Sequence, residues 1–186
     1  MLRKGMTKVE IEKELGGKGD YVLIDNMTRF LKENLPRDIR KFVYLKLVAV
    51  YERRNMFFEA AEVYNRMIEL AITPSEKASY SSKATECHIK SGQFDKADLS
   101  MKKIPNEVRG TERAKMNISM KDFYKKQAEQ YEREKRRNMA MRTYEKILTL
   151  DVSEAEKLEV NKKLMNLYRE LGLVKQYMTM KSKVGQ

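Results

Sequence analysis

A 20-residue stretch occurs twice in this chain, with changes. It reads YERRNMFFEAAEVYNRMIEL from residue 51 and YEREKRRNMAMRTYEKILTL from residue 131. At this offset of 80 residues, from 51 to 131, the copies share the opening Tyr-Glu-Arg, an alanine, a tyrosine and a leucine. Self-similarity at a fixed spacing is typical of chains that stack copies of one supersecondary unit, so it restricts the possible folds more than composition does.

The repeated unit is predicted to be helical. Apolar residues recur three or four positions apart, as at Tyr44, Leu47 and Tyr51, whereas the period-two alternation of strands is almost absent. With 35% charged and 41% hydrophobic residues, the composition favours long amphipathic helices that each have one solvent-exposed face. The expected fold class is all-α, with about nine helices counted from the periodic segments. Signals for helix ends or starts lie at Pro36, Pro74, Gly92, Gly172 and the capping box of Ser153 and Glu156.

The chain is interpreted as one helical domain preceded by an arm. Residues 1–20 mix charges with few apolar positions and end in a glycine cluster, which predicts a flexible or short helical N-terminal arm. The helical pattern then runs through residues 21–186. Residues 104–112 (IPNEVRGTE) are the one obvious irregular connection within it.

The chain is strongly basic. Its 39 lysines and arginines outnumber its 27 aspartates and glutamates, giving a net charge of +12, and +7 of this excess lies in residues 101–150. Such an excess favours anionic partners, either an acidic protein segment or the phosphates of RNA and the ribosome.

No segment is predicted to enter a membrane. The longest apolar runs are far shorter than the roughly 18 residues that a span requires, and no signal peptide opens the sequence. Cys87 is the single cysteine, so an internal disulfide framework is excluded, which agrees with a reducing compartment. We therefore expect a soluble, cytoplasmic protein.

Four helix pairs are predicted to begin near Lys41, Ala78, Lys121 and Leu158, which are 37, 43 and 37 residues apart. The first pair has aromatic and small residues at regular places, and Pro74 follows it. These residues are Tyr44, Leu47, Val48, Tyr51, Ala60, Tyr64 and Met67. The pattern resembles the tetratricopeptide repeat family, whose units are pairs of helices A and B of about 34 residues. The longer spacings here imply lengthened helices or inserted loops.

The resemblance implies a right-handed α-solenoid of antiparallel helix hairpins, with about four pairs and an N-terminal capping helix at 21–35. In that family the A helices line a concave groove that holds the ligand. A row of lysines across neighbouring A helices attracts an acidic peptide, although lysine-rich helix faces are also commonly just solvated. The basic residues at the groove positions are Lys83, Lys125, Lys126, Arg133, Lys162, Lys163 and Arg169.

One ligand of the family is not expected here. The carboxylate clamp that grips chaperone tails needs Lys and Asn on the first A helix and Asn on the second. The corresponding residues of this chain are Leu45, Ala49 and Lys83. The clamp is therefore not carried over.

A second basic cluster lies at a predicted turn between helices. Its cations suit contact with phosphate groups without base specificity, and near the end of a helix they also complement the helix dipole. This cluster gives the alternative function, a basic helical-repeat protein that associates with RNA or the ribosome. The residues assigned to that function are Lys125, Lys126, Arg133, Lys135, Arg136 and Arg137.

No catalytic site is expected. Cys87 and His88 are adjacent but lack partners for a metal site or a nucleophile and its base. Tyr51, Tyr131 and Tyr168 occupy packing positions, which favours the core over stacking on bases. The leading hypothesis is a non-enzymatic scaffold or adaptor without cofactor or metal, which binds an acidic peptide or a complex subunit.

Overall fold

The computed structural model describes residues 1–104, 108 and 110–184, apart from the side chains of 110–119 and 183–184. These residues form ten helices and no strand, so the predicted all-α fold class is confirmed. None of the helices in this part of the chain is long and apolar enough to cross a membrane. In chain order the helices are α1 (Lys8–Leu15), α2 (Asp20–Phe30), α3 (Arg37–Arg53), α4 (Phe57–Leu70), α5 (Pro74–Lys90), α6 (Phe94–Lys102), α7 (Gly110–Arg133), α8 (Arg137–Ile147), α9 (Glu154–Glu170) and α10 (Val174–Val184).

The N-terminal arm contains a helix, α1. The Glu10 amide donates to the Thr7 hydroxyl at 3.3 Å and the Thr7 amide donates to the Glu10 carboxylate at 2.8 Å, which is a capping box. Ile11 and Leu15 are buried in the same apolar cluster as Met27 of α2. Two apolar residues one turn apart are therefore enough to anchor this otherwise polar helix, which brings the number of helices to ten.

The connection before α7 is shorter than predicted. The sequence places it at residues 104–112, whereas α7 already begins at Gly110. Residues 105–107 and 109, which also belong to that prediction, lie outside the described part of the chain.

Four helix pairs close through the same turn: α3 with α4, α5 with α6, α7 with α8 and α9 with α10. In each pair the residue two positions after the first helix has a positive φ, and the second helix begins two positions later. These turn residues are Asn55 (56°), Gly92 (74°), Lys135 (57°) and Gly172 (71°), which are 37, 43 and 37 residues apart. The spacing of the turns is thus the spacing predicted for the units.

Three of these turns share a hydrogen bond that closes the first helix. The amides of Met56, Arg136 and Leu173 donate to the carbonyls of Tyr51, Tyr131 and Tyr168 at 2.9, 2.9 and 2.8 Å. A bond of this span around a left-handed residue is the Schellman motif, which satisfies helix carbonyls that otherwise lack a partner. All three tyrosines are buried, in line with the packing role predicted for them.

The two similar segments of the sequence also make the same side-chain hydrogen bond. The Tyr64 hydroxyl donates to Glu52 at 3.1 Å, and the Tyr144 hydroxyl donates to Glu132 at 2.6 Å. Both residues of the second contact lie 80 positions after those of the first. In both places burial and the neighbouring carboxylate raise the pKa of the tyrosine.

Contacts divide the chain into two compact units. Unit 1 contains residues 1–91 and 95–108, and unit 2 contains residues 92–94 and 109–186. The core of unit 1 is built from α1 to α5 and includes Val43 and Met67. In unit 2, Tyr124 and Leu164 are fully buried, and the edge of the Phe94 ring packs 5.5 Å from the Tyr124 ring.

His88 occupies the place in α5 that Tyr51, Tyr131 and Tyr168 occupy in the other first helices. Its side chain is 1% exposed, and Nδ1 makes no hydrogen bond to a described residue. Burial, followed by the charge of Lys96, lowers the pKa of His88. The folded state therefore favours the neutral imidazole.

The unfolding free energy is expected to decrease as the pH falls from 7.5 to 5. The unfolded chain takes up a proton near pH 6.5, while the depressed pKa of His88 delays protonation in the folded state. The stabilisation is thus present above about pH 6.5 and is lost as the pH falls toward the folded pKa, by at most about 1.4 kcal/mol per pH unit. Denaturant unfolding of wild type and His88→Gln measures it. Because the chain has one histidine, an identical pH slope in both proteins would contradict this assignment.

Candidate functional site

Two ion pairs with N···O distances of 3.0 Å or less join α7 and α9 of unit 2 among the described residues. Lys125 Nζ lies 2.6 Å from Glu156 Oε1, and Lys163 Nζ lies 3.0 Å from Glu132 Oε2. Each pair connects a residue of α7 with the residue 31 positions later. The same offset at two places, two helical turns apart, means that α7 and α9 lie side by side and run in the same direction.

The Lys125–Glu156 pair is reinforced by the start of α9. The Ser153 hydroxyl and amide both contact the Glu156 carboxylate, at 3.1 and 2.8 Å, in the predicted capping box. The Lys125 hydrogen bond, together with the Ser153 contacts, lowers the pKa of Glu156 to about 2, and the same carboxylate raises the pKa of Lys125. At neutral pH both groups are therefore fully charged and the Lys125 charge is compensated.

The Lys163 charge is compensated in the same way at the other end. Glu132 accepts hydrogen bonds from the Tyr144 hydroxyl and from Lys163 Nζ. One carboxylate thus links α7 to both α8 and α9. Truncating Lys163 removes a contact between helices and not only a surface charge.

The remaining basic residues predicted on this face are exposed. Lys126, Lys162 and Arg169 form no ion pair with a described side chain, and the Arg133 guanidinium donates to the Gln130 amide oxygen at 2.9 Å. In each Lys-Lys dipeptide one lysine bridges α7 and α9, and the other, Lys126 or Lys162, projects charge to solvent. We call these two helices, with their exposed cations, the α7–α9 face.

The α7–α9 face also carries acidic residues. Glu129 and Glu159 are exposed on the same two helices. A ligand on this face therefore meets cations separated by carboxylates, so its charges must match in position as well as in sign. Such a pattern provides specificity, which a uniform basic field lacks.

Lys83 belongs to unit 1, whereas the other basic residues predicted to line the groove belong to unit 2. Its ammonium lies 3.3 Å from Glu86, which also pairs with Lys90 at 2.7 Å. The neighbouring first helix, α3, exposes Leu45 (46%) and Ala49.

The basic turn between α7 and α8 is exposed along its whole length. The Arg136 guanidinium stacks 4.7 Å from the centre of the Tyr131 ring and lies 3.5 Å from Glu134. Arg137 Nε lies 2.5 Å from the Glu170 carboxylate of α9. Lys135 has no ion pair with a described side chain. Of the cations of Lys135, Arg136 and Arg137, that of Lys135 is therefore the most accessible to a ligand.

Sequence reasoning did not predict a cleft of about 330 Å³ between α2, α3 and α4 of unit 1. Leu31, Leu47 and Val63 form its apolar floor, and Lys32 and Arg66 lie at its edge. Its size is at the lower end of pockets that hold small molecules, about 300–1,000 Å³. No sequence motif predicts this cleft, because the residues that line it come from three different helices.

The described residues hold no group of three His, Cys, Asp or Glu suited to a metal ion. Cys87 is 2% exposed, and burial followed by the charge of Glu52 raises its pKa to about 12. The thiol is therefore protonated at neutral pH and is a poor nucleophile. Its Sγ lies 3.8 Å from Glu52, a contact that joins α5 to α3.

Comparison with known proteins does not assign the chain to a family. No protein-family model matches it, and neither does any curated protein.

Proposed function

We propose that this protein is a non-enzymatic adaptor of the tetratricopeptide-repeat type, a right-handed α-solenoid that holds an acidic segment of a protein partner on the α7–α9 face. Support for the solenoid comes from the common turn that closes four helix pairs and from the parallel pairing of α7 with α9. Pairs that share one turn geometry and lay their first helices side by side generate such an array.

One observation carries the ligand assignment. The lysines of the α7–α9 face divide into two kinds: Lys125 and Lys163 are held by carboxylates of the neighbouring helix, whereas Lys126 and Lys162 are exposed without an ion pair to a described side chain. Exposed cations on two adjacent rigid helices are preorganised for an anion. The four residues of the proposed contact are Lys126, Arg133, Lys162 and Arg169.

The proposal is tested by exchanging the exposed lysines. Partners captured by the immobilised protein after nuclease treatment are identified, and a synthetic peptide of the acidic segment is titrated by fluorescence anisotropy. The Lys126→Glu/Lys162→Glu variant is expected to bind this peptide at least tenfold more weakly, about 1.4 kcal/mol. Its melting temperature is expected to stay close to that of wild type, because neither side chain is paired in the fold.

A matched control changes the same amount of charge elsewhere. Lys13→Glu/Lys102→Glu alters two exposed lysines of unit 1 that have no ion pair with a described side chain. This control is expected to bind like wild type. Equal weakening in both variants would mean that only net charge matters, and undiminished binding by the Lys126/Lys162 variant would move the contact away from the α7–α9 face.

A further inference from the structure

Lys135 adopts a backbone conformation that lysine rarely takes. Its φ is 57°, in the left-handed region, where the Cβ atom crowds the following carbonyl oxygen. The three other turns of the same kind place Asn55, Gly92 and Gly172 there, which are the residue types that tolerate it. A strained lysine kept where glycine or asparagine would relieve the strain suggests that its side chain has a function.

The turn itself does not need basic residues. Met56 and Arg136, 80 positions apart, have identical dihedral angles of φ −84° and ψ 62°. In the first turn the residues that follow Asn55 are Met56 and Phe57, whereas in the second those that follow Lys135 are Arg136 and Arg137. From the left-handed residue onward, the same backbone carries no cation in the first turn, where Arg53 and Arg54 precede Asn55, and three cations in the second.

The cations of this turn extend beyond the tip. Arg133 before it and Arg142 after it are also exposed. The cleft beneath, of about 200 Å³, is lined by Lys135 and Arg137 but also by two carboxylates, Glu132 and Glu170. Glu170 pairs with Arg137 and Glu132 pairs with Lys163, so the charges that line the cleft largely compensate one another, and the exposed Lys135 ammonium is the main attraction for an anion.

We propose that the α7–α8 turn binds the phosphate backbone of a nucleic acid, with Lys135 as its principal contact. A row of exposed cations suits a chain of phosphates better than a single phosphate group. The only ring within the cluster, that of Tyr131, is 1% exposed and stacked on Arg136, so it offers no face to a base. Binding is accordingly independent of base sequence.

This inference goes beyond the proposed function and does not rest on it. Lys135 is not part of the α7–α9 contact, so loss of one activity leaves the other measurable. A protein with both activities links an acidic protein segment to a nucleic acid.

The test uses a variant that relieves strain while it removes charge. Lys135→Gly is expected to melt at a temperature equal to or above that of wild type, and yet to bind a 20-nucleotide single strand several-fold more weakly. The slope of log affinity against log salt is expected to become shallower by about one unit. An RNA strand and a DNA strand of the same sequence are titrated in parallel, and the difference in their affinities shows which nucleic acid the turn prefers.

Two matched variants complete the experiment. Lys135→Arg keeps both the strain and the charge and is expected to bind like wild type. Asn55→Lys places a strained lysine in the α3–α4 turn, where Arg53 pairs with Asp20 and Arg54 stacks on the Tyr21 ring, and is expected to leave affinity unchanged. Binding by Lys135→Gly with the affinity and salt slope of wild type would overturn the proposal. So would displacement of both strands by an equimolar phosphopeptide, since the ligand would then be a phosphoprotein.

Discussion

Replacing Tyr131 with alanine is expected to lower the free energy of unfolding by about 3–5 kcal/mol, as is typical of a buried aromatic residue cut to alanine. The Tyr131 side chain is 1% exposed. It also supports the guanidinium of Arg136, at 4.7 Å from the ring centre. The substitution leaves a cavity at the point where α7 ends, so neighbouring groups lose packing contacts as well as apolar burial.

Denaturant unfolding measures this loss, with Tyr21→Ala as the matched control. Tyr21 is 67% exposed and carries a similar stack, since the Arg54 guanidinium lies 4.7 Å from its ring. The control is expected to lose at most about 1 kcal/mol, the contribution of an exposed cation–π contact. If Tyr131→Ala unfolded at the wild-type midpoint and lost nucleic-acid binding, the ring would be a stacking platform and not part of the core.

Features that depend on neighbours in sequence were predicted well. The glycines at 92 and 172, the capping box at Ser153 and the buried tyrosines all lie where the sequence indicates, because local backbone chemistry and helical periodicity determine them. The spacing of 37, 43 and 37 residues returns as the spacing of the turns. The stacking of the pairs into a right-handed solenoid stays a prediction.

Features that depend on which helices are neighbours could not be read from the sequence. The Lys-Lys dipeptides suggest a uniform basic row, but Glu156 and Glu132 reach Lys125 and Lys163 from the adjacent helix. Those acids lie 31 residues from their partners, so the pairing becomes visible only when α7 and α9 are known to lie side by side. On a surface formed by neighbouring helices, the lysines that pair with carboxylates therefore have to be identified before the remaining lysines are assigned to a ligand.

The positive φ of Lys135 could not be predicted from the sequence either. The turn Glu134-Lys135-Arg136 contains neither glycine nor asparagine, the residues that usually mark a positive φ. Only the equivalence with Asn55 and the other turn residues reveals it. Four turns of the same geometry thus provide an internal comparison, which shows that lysine is unusual at this position.

Gly92→Ala is expected to lower the free energy of unfolding by about 1–3 kcal/mol, mostly from strain at positive φ, with a smaller contribution from overpacking because the atom that a new Cβ meets is the mobile end of the Met139 side chain. Gly92 has a φ of 74°, and a Cβ atom there meets Met139 Cε at 2.5 Å and the Tyr131 hydroxyl at 3.7 Å. Gly172 has a similar φ of 71° but nothing within 4 Å of such an atom. Gly172→Ala is therefore expected to cost only the strain, about 1–2 kcal/mol.

A double-mutant cycle separates the two contributions of Gly92. Met139→Ala removes the atom that the new Cβ meets, so the cost of Gly92→Ala in that background is expected to fall to that of Gly172→Ala. The coupling energy between the two sites then reports the overpacking, and is expected near the lower end of the range of about 0.5–3 kcal/mol seen for residues in contact. A coupling energy of zero would mean that Met139 moves aside freely, and the cost at Gly92 would be strain alone. In that case the tight contact would not be what keeps glycine at position 92, and the left-handed turn would be sufficient reason.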